Sequence, residues 1–270
     1  FGTEMRRQLT RRRTQLALGF LVVLPLIVLV AFELGGNSGS NNDRNGQFSS
    51  LVRVATSGGL NFALFTLLVS SGFLLVVVVA LFFGDTVASD AQWGSLRYLL
   101  AAPVPRARLL GNKVLVALVT SAVGMLLLTG VALLAGTARY GWHPLRSTVA
   151  GDVPAGTGLV RLLAILGYLA VTQIVVAGLA FLFSVSTDAP LGAVGGAVLV
   201  FILSNILDQI TALGSLRALL PTHYSDAWLG LISNPVQTDD LVKGAISALV
   251  YGTVLFALAW WRFLRKDIVS

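Results

Sequence analysis

The sequence contains no cysteine, which excludes disulfides, thiol catalysis and cysteine-based metal sites. Charged residues are also scarce, at 11% of the chain, whereas hydrophobic residues make up 56%. An ordinary soluble domain has about 25% charged residues. The apolar residues fall in runs of about 20, the length that a helix needs to cross the hydrocarbon core of a bilayer. The composition therefore predicts an all-α, polytopic membrane protein that forms one domain over residues 1–270.

A phosphate-binding loop of the form Gly-x-x-x-x-Gly-Lys-[Ser/Thr] is also absent, so the chain is not expected to bind ATP in the usual way. Energy for active transport would have to come from a partner or an ion gradient. Ion-driven carriers place ionisable residues inside the membrane, and the predicted second to sixth spans contain none. This argues against ion coupling, although sodium sites built from backbone oxygens stay open. His143 and His223 are isolated, so no metal site is predicted.

Six apolar runs are long enough to be membrane spans. They cover residues 16–34, 61–83, 114–136, 162–184, 191–207 and 244–261. Three regions, the N-terminal segment, residues 84–113 and the C-terminal segment, hold 12 of the 19 Lys and Arg residues. The positive-inside rule therefore predicts that both termini and residues 84–113 are cytoplasmic. Residues 137–161 are predicted to be a long outer loop, and residues 186–190 a tight turn.

Two segments outside the spans have amphipathic or mixed character. Residues 1–15 carry five arginines with apolar residues at helical spacing, which is typical of an amphipathic helix in the headgroup plane. A solvated basic tail is the alternative. Residues 208–243 contain two short apolar pieces separated by Pro221, each too short to cross a bilayer. Such pieces fit a re-entrant outer segment, and a surface loop with two amphipathic turns stays open.

Residues 84–113 predict a short cytoplasmic helix between the second and third spans. Ser89 followed three residues later by Gln92 has the form of a capping box, with Asp90 in the first turn. Pro103 is expected to end the helix. The face toward a partner would carry Trp93, Leu96, Leu99 and Leu100. A helix over residues 89–102, joined tightly to two spans, can transmit a push, and an interface helix that only anchors those spans is the alternative.

The same stretch has a fixed pattern over more than 20 residues. It reads Asp90-x-x-x-Gly94-Ser95-Leu96-Arg97-x-Leu99-Leu100-x-x-Pro103-Val104-x-Arg106-x-x-Leu109-x-x-x-Lys113. This pattern resembles the signature of ABC-2 type permeases, in which an acidic residue precedes Gly-Thr-Leu, Leu-Leu, Pro-Val and Arg, with Gly-Lys at the next helix. The chain departs from it at Asp90, which replaces Glu, at Ser95, which replaces Thr, and at Asn112 before Lys113. The six-span layout is also similar, so the likeness covers nearly the whole chain.

The resemblance implies the transmembrane subunit of an ATP-driven ABC exporter of the type V fold, located in a bacterial cell membrane. Two such permeases, identical or not, would pair around a path for a drug, antibiotic, lipid or other amphiphile. Each would dock one of two ATP-binding subunits, which would hold ATP and Mg, so no cofactor is expected in this chain. Membrane lipid is a further expected partner, and nucleic acid is not. The implied coupling residues are Asp90, Trp93, Gly94, Leu96, Arg97, Leu99, Leu100, Pro103 and Arg106.

Weaker candidates have both functional and structural explanations. Uncharged polar and aromatic residues near the outer span ends are candidates for a substrate path or for hydrogen bonding between helices; they are Asn61, Phe62, Phe65, Asn205 and Gln209. Gly192 and Gly196 are candidates for a subunit interface or for incidental packing. Gln173 needs a partner inside the membrane. No catalytic set is evident around Asp85 and Asp90, so an enzyme is not expected. A membrane anchor or assembly subunit of an ATPase complex and a membrane-embedded enzyme are the alternative functions.

Overall fold

The computed structural model describes residues 2–36, 46–92, 105–147 and 151–265. Within these ranges the chain forms nine α-helices, two 3₁₀ helices and one β-hairpin. The α-helices are α1 (Gly2–Thr10), α2 (Arg12–Gly36), α3 (Gly46–Ala55), α4 (Gly59–Ser71), α5 (Leu74–Gln92), α6 (Arg106–Tyr140), α7 (Ala155–Ser186), α8 (Pro190–Asp208) and α9 (Asp239–Arg265). The 3₁₀ helices are Thr211–Leu219 and Ala227–Leu231, and the antiparallel strands are β1 (Leu145–Ser147) and β2 (Gly151–Val153).

Six of these helices are long and apolar enough to cross a membrane, namely α2, α5, α6, α7, α8 and α9. The all-α, multi-pass class is therefore confirmed. Helix α5 is the centre of the bundle, because its apolar window is 78% buried and it packs against α6, α7 and α8. Helix α2 lies at the edge against α6, and only 11% of its apolar window is buried. The outer surface of α2 is thus left for lipid or another chain.

The predicted second span over residues 61–83 is wrong as a single helix. It is divided into α4 and α5 by the turn at Gly72 and Phe73. Glycine weakens a helix, and the neighbouring Ser71 hydroxyl donates to the Leu68 carbonyl at 3.0 Å. The amide of Val77 then donates to the Phe73 carbonyl at 2.9 Å as α5 begins. The span therefore contains a break inside its apolar sequence.

Two ends of the bundle are distinguished by the elements that meet there. At the hairpin end, β1 and β2 lie beside the start of α4. The Asn61 side chain donates to the Arg146 carbonyl at 2.7 Å and accepts from the Arg146 amide at 3.0 Å. Leu145 and Val153 face each other across the hairpin and are both buried. The predicted loop over residues 137–161 thus contains this small folded hairpin. At the amino-terminal end, α1 lies against the last residues of α5 and the first turns of α6.

The segment between α8 and α9 folds back against α7 and α9. The two predicted apolar pieces correspond to its two 3₁₀ helices, with Pro221 between them and a cis peptide bond at Asn234-Pro235. The Tyr168 hydroxyl donates to the Tyr224 carbonyl at 2.6 Å, and the Tyr251 hydroxyl donates to the Leu219 carbonyl. Tyr251 lies about midway along the 27-residue helix α9. The first 3₁₀ helix therefore contacts the middle of α9 rather than its end.

At the hairpin end, α4 and α6 cross closely enough to require glycine. A Cβ atom at Gly59 would lie 2.6 Å from the Thr137 amide nitrogen, which belongs to the backbone of α6 and has little freedom to move away. We expect Gly59→Ala to lower the free energy of unfolding by about 1–3 kcal/mol through overpacking. Gly130→Ala is the matched control, because a Cβ there meets nothing within 4 Å. Denaturant unfolding in detergent measures both, and an equal effect of the two changes would contradict the close crossing.

Candidate functional site

A buried ion pair joins the last turns of α5 to the beginning of α6. The Lys113 ammonium lies 2.5 Å from an Asp90 carboxylate oxygen, and the two side chains are 4% and 1% exposed. Lys113 also donates to the Thr86 carbonyl at 3.0 Å and to the Glu4 carboxylate at 2.9 Å. A buried charge is tolerated only when it is paired and hydrogen-bonded. Asp90 and Lys113 thus fix the two helices that flank residues 93–105.

Arginines from α1, from the single residue that follows it and from the start of α2 complete this cluster. Arg7 contacts Asp90 at 2.8 Å. Arg11 contacts Asp85 at 2.5 Å and donates to the Ser89 hydroxyl at 3.0 Å, while Arg13 lies 3.2 Å from Asp85. We call the set Glu4, Arg7, Arg11, Arg13, Asp85, Asp90 and Lys113 the charge cluster. It contains four cations and three carboxylates, so their charges are nearly balanced.

A cavity of about 440 Å³ opens beside the charge cluster. Four arginines line it, together with Thr10, Asp85 and Ser89; they are Arg7, Arg11, Arg12 and Arg13. Since Asp85 is already paired with Arg11 and Arg13, the electrostatic potential in the cavity is positive. Guanidinium groups suit phosphate and carboxylate oxygens, so the lining suits an anion.

Two further contacts join α5 to its neighbours near the same end. The Ser184 hydroxyl of α7 accepts hydrogen bonds from the amides of Val87 and Ala88, each at 3.0 Å, and Ser184 is fully buried. Gly84 lies so close to α8 that a Cβ atom would be 2.7 Å from a Val194 methyl group. Helix α5 is therefore held on three sides, by α6, α7 and α8, where it approaches the charge cluster.

The predicted capping box is wrong. Ser89 lies inside α5, and its hydroxyl donates to the Asp85 carbonyl at 2.5 Å, as interior helix serines do. Helix α5 continues to Gln92 and α6 begins at Arg106, so the loop predicted over residues 84–113 is shorter at both ends. Asp90 belongs to the buried end of a membrane helix instead of the first turn of a separate one. Its side chain faces Lys113 and Arg7 inside the chain.

Most of the predicted coupling residues lie outside the described part of the chain. They are Trp93, Gly94, Leu96, Arg97, Leu99, Leu100 and Pro103, and the helix predicted through them is untested. Arg106 is the first residue of α6. What the structure does describe is the attachment of this segment at both ends, at Gln92 and at Arg106.

The predicted path residues lie in different places. Phe62 is fully buried against Phe32 and Tyr140, with ring centroids 6.2 and 5.8 Å away. Asn61 and Phe65 line a mostly apolar cavity of about 450 Å³ that also includes Trp228. Asn205 lines a separate, smaller cavity, and Gln209 is exposed at the C-terminal cap of α8. The structure therefore does not bring the five residues together in one cavity.

Of the two predicted interface glycines, Gly196 approaches α7 and Gly192 is exposed, and their role between subunits stays a prediction. A Cβ atom at Gly196 would lie 3.2 Å from the Phe183 ring of α7, and one at Gly192 would lie 3.7 Å from the Ala189 side chain. Gly84, Gly244 and Gly252 make closer approaches between elements. The sequence analysis missed these three, since nothing in the spacing of 28 glycines marks which of them face a neighbouring helix.

Comparison with known families adds one finding to this geometry. The chain matches a family described as "Protein of unknown function (DUF2705)" over residues 26–269. The chain belongs to the DUF2705 family. The matched range includes Asp85, Asp90 and Lys113 of the charge cluster, whereas α1 with Glu4 and Arg7 precedes it. None of the curated proteins compared with the chain matches it.

Proposed function

We propose that this DUF2705 chain is the transmembrane subunit of an ATP-driven exporter, paired with a second permease copy and with two ATP-binding subunits. The observation that carries the proposal is the attachment of residues 93–105. This segment bears the permease-like motif and joins two helices that the Asp90–Lys113 pair holds together. A force applied to it by a partner would pass directly into α5 and α6. A long loop on flexible ends would dissipate the same force.

The charge cluster extends this transmission to the N-terminal segment. Glu4 and Arg7 of α1 contact Lys113 and Asp90, so α1 would move with the ends of α5 and α6. Helix α1 continues almost directly into α2, with only Arg11 between them. A displacement of residues 93–105 would therefore reach α2, α5 and α6 together, although α2 has few contacts with the centre of the bundle.

The orientation belongs to the same proposal. The density of Lys and Arg around α1 and residues 93–113 favours placing the amino-terminal end and both termini in the cytoplasm of a bacterial cell. The arginine-lined cavity would then lie at the inner leaflet, where anionic lipids attract basic segments. The hairpin and the segment between α8 and α9 would face the outside.

We also infer that the segment between α8 and α9 is re-entrant. Its first 3₁₀ helix contacts α9 at Tyr251, about halfway along that helix. Thr222 and Ser204 share a hydrogen bond of 2.7 Å, and both residues are buried. Irregular backbone at such a depth must be covered by protein. Thr222 and Trp228 are covered by this chain, whereas the first 3₁₀ helix has no buried residue, so the second permease copy would have to cover that part. The apolar cavity at Phe65 and Trp228 is the place where an amphiphile would enter from this side.

Replacing Gly94 by Asp and Leu99 by Glu tests the coupling. The chain is co-expressed with the ATP-binding subunit that purifies with it, and ATP hydrolysis is measured in proteoliposomes. We expect the two charged residues to abolish stimulation of hydrolysis by the permease, because a docking surface rich in leucine does not tolerate buried unpaired charge. Trp142→Glu at the hairpin end is the control, as Trp142 is half exposed and far along the chain from the motif.

If the rate of ATP hydrolysis were unchanged by both substitutions in the motif, residues 93–105 would have no coupling role. Failure to isolate any ATP-binding subunit with the chain would remove the partner as well. A membrane anchor or assembly subunit would retain docking but give no ATP-dependent movement of an amphiphile into vesicles, so a transport assay with and without ATP separates it from an exporter. A membrane-embedded enzyme would instead need catalytic groups at membrane depth.

A further inference from the structure

The small cavity lined by Asn205 lies at the break between α4 and α5, and about half of its lining is polar. We call it the polar cavity. Its volume is about 140 Å³, and it is bounded by the end of α4, by α7 and α8, and by the chain between the two 3₁₀ helices. Among its lining residues are Gly72, Gln173, Asn205 and Asp226. The cavity shares no lining residue with the apolar cavity at Phe65.

Gln173 is the least satisfied polar group of the lining. The residue is 6% exposed, and its Oε1 atom has no hydrogen-bond partner among the residues that the structure describes. A buried amide oxygen in an apolar bundle is destabilising unless a donor or a cation meets it. Since Gln173 lines the cavity, a bound species there is the natural partner for Oε1.

Several other polar groups around the cavity have a lone pair on oxygen that is available to a bound species, although the Ser225 hydroxyl and the Gln173 amide nitrogen of the lining are donors. The hydroxyls of Ser71 and Thr172 each donate their hydrogen to a carbonyl of their own helix at 3.0 Å. The Asn205 amide nitrogen donates to the Phe201 carbonyl at 3.0 Å, which leaves Oδ1 as the acceptor of that side chain. In the described chain, the Gly72 carbonyl accepts no backbone hydrogen bond, although the next carbonyl, that of Phe73, does. The oxygens of Gln173, Asn205 and Gly72 in one cavity favour a cation over an anion.

The charged residue at the cavity also favours a cation, because it is an acid. Asp226 lines the cavity, and none of the described lysines, arginines or histidines lines it. The nearest basic groups along the chain have other partners, because Arg217 and His223 contact Asp208 and Lys243 contacts Asp240. The C-terminal end of α4 adds the negative end of a helix dipole. One carboxylate with several neutral oxygens matches a single positive charge.

We propose that this cavity binds a monovalent cation, either an alkali metal ion or the ammonium group of a larger molecule. Oxygen donors suit a hard cation, whereas Ca²⁺ or Mg²⁺ is usually held by more carboxylates. A water molecule takes about 30 Å³ in the liquid, so the cavity has room for a small cation with a few waters. Transporters place such sites where a membrane helix is interrupted and its backbone carbonyls are freed. The inference does not depend on ATP-driven export, and it applies to a carrier of any energy source.

Binding of radiolabelled sodium and radiolabelled tetramethylammonium to the full chain in nanodiscs tests this site. We expect saturable binding of at least one of them. The Asp226→Asn and Gln173→Leu variants should each weaken it by about tenfold or more, because one loses the charge and the other the Oε1 ligand. Asp239→Asn is the matched control, since Asp239 is an exposed acid in the first turn of α9 that does not line the cavity.

Competition between cations distinguishes an alkali metal ion from the ammonium group of a larger molecule as the species that binds. Displacement of sodium by potassium but not by tetramethylammonium identifies an alkali-ion site, and displacement by both identifies a site that also takes ammonium groups. No saturable binding of either probe to the unaltered chain would overturn the proposal. Equal binding to the unaltered chain, Asp226→Asn and Gln173→Leu would overturn it too, because the cation would then sit elsewhere. Asp226 is exposed, so the Asn variant is expected to fold and can decide the matter if the Gln173 variant does not.

Discussion

Replacing Lys113 by methionine is expected to lower the free energy of unfolding by about 3–5 kcal/mol, the usual cost of removing one partner from a buried ion pair. Asp90 would keep its charge at 1% exposure and lose its closest cation. Arg7 at 2.8 Å and Arg11 at 3.7 Å stay, but their side chains are 42% and 21% exposed, so they compensate only in part. Denaturant unfolding in detergent, followed by tryptophan fluorescence, measures the change.

Two further variants distinguish the effect of breaking the buried ion pair from the general effect of removing a charge. The double variant Asp90→Leu with Lys113→Met should recover most of the lost stability, since Glu4 and Arg7 can turn toward water when both buried charges are gone. Lys243→Met is the control, because the Lys243–Asp240 pair is exposed and we expect no measurable change there. If Lys113→Met were as mild as Lys243→Met, the pair would not hold α5 to α6.

Replacing Trp228 by alanine is expected to lower the free energy of unfolding by about 3–5 kcal/mol, as truncation of a buried aromatic side chain usually does. Trp228 is 2% exposed in the second 3₁₀ helix and packs in the core of the bundle. Its removal would enlarge the apolar cavity that it lines with Phe65 and Asn61. Thermal unfolding in detergent measures the effect, together with Trp142→Ala as the exposed counterpart.

The Trp228→Phe variant adds a sharper comparison. Among the described residues, the Trp228 indole nitrogen has no hydrogen-bond partner, so phenylalanine would lose volume without breaking a hydrogen bond. We expect it to retain more stability than the alanine variant. If Trp228→Ala and Trp142→Ala had equal effects, the segment between α8 and α9 would not be anchored by this side chain.

The membrane class and the number of candidate spans could be predicted because they depend on local apolar runs. The short pieces around Pro221 were also predicted, since proline and the length of each apolar run limit what can form there. The break at Gly72 was not predicted, because Ser71 and Gly72 lie inside an apolar run that is long enough to be one span. Propensity alone does not decide between a kinked helix and two helices.

The contacts that form the charge cluster could not be predicted from the sequence. Asp85 and Asp90 have the appearance of loop residues, because buried carboxylates in a membrane helix are rare without partners. The partners Arg7 and Arg11 are more than 70 positions away along the chain, and no local pattern connects them. The hairpin was missed for a similar reason, as two strands of three residues leave no readable alternation.

The turn at Gly72 has a consequence for how the bundle can deform. Helix α4 is fixed to the hairpin by Asn61, and α5 is fixed to the opposite end by Asp85 and Asp90. Because the helical hydrogen bonding is interrupted at Gly72, we expect any change in the angle between α4 and α5 to be concentrated at this turn. Such a change would alter the polar cavity first, because Ser71 and Gly72 line it.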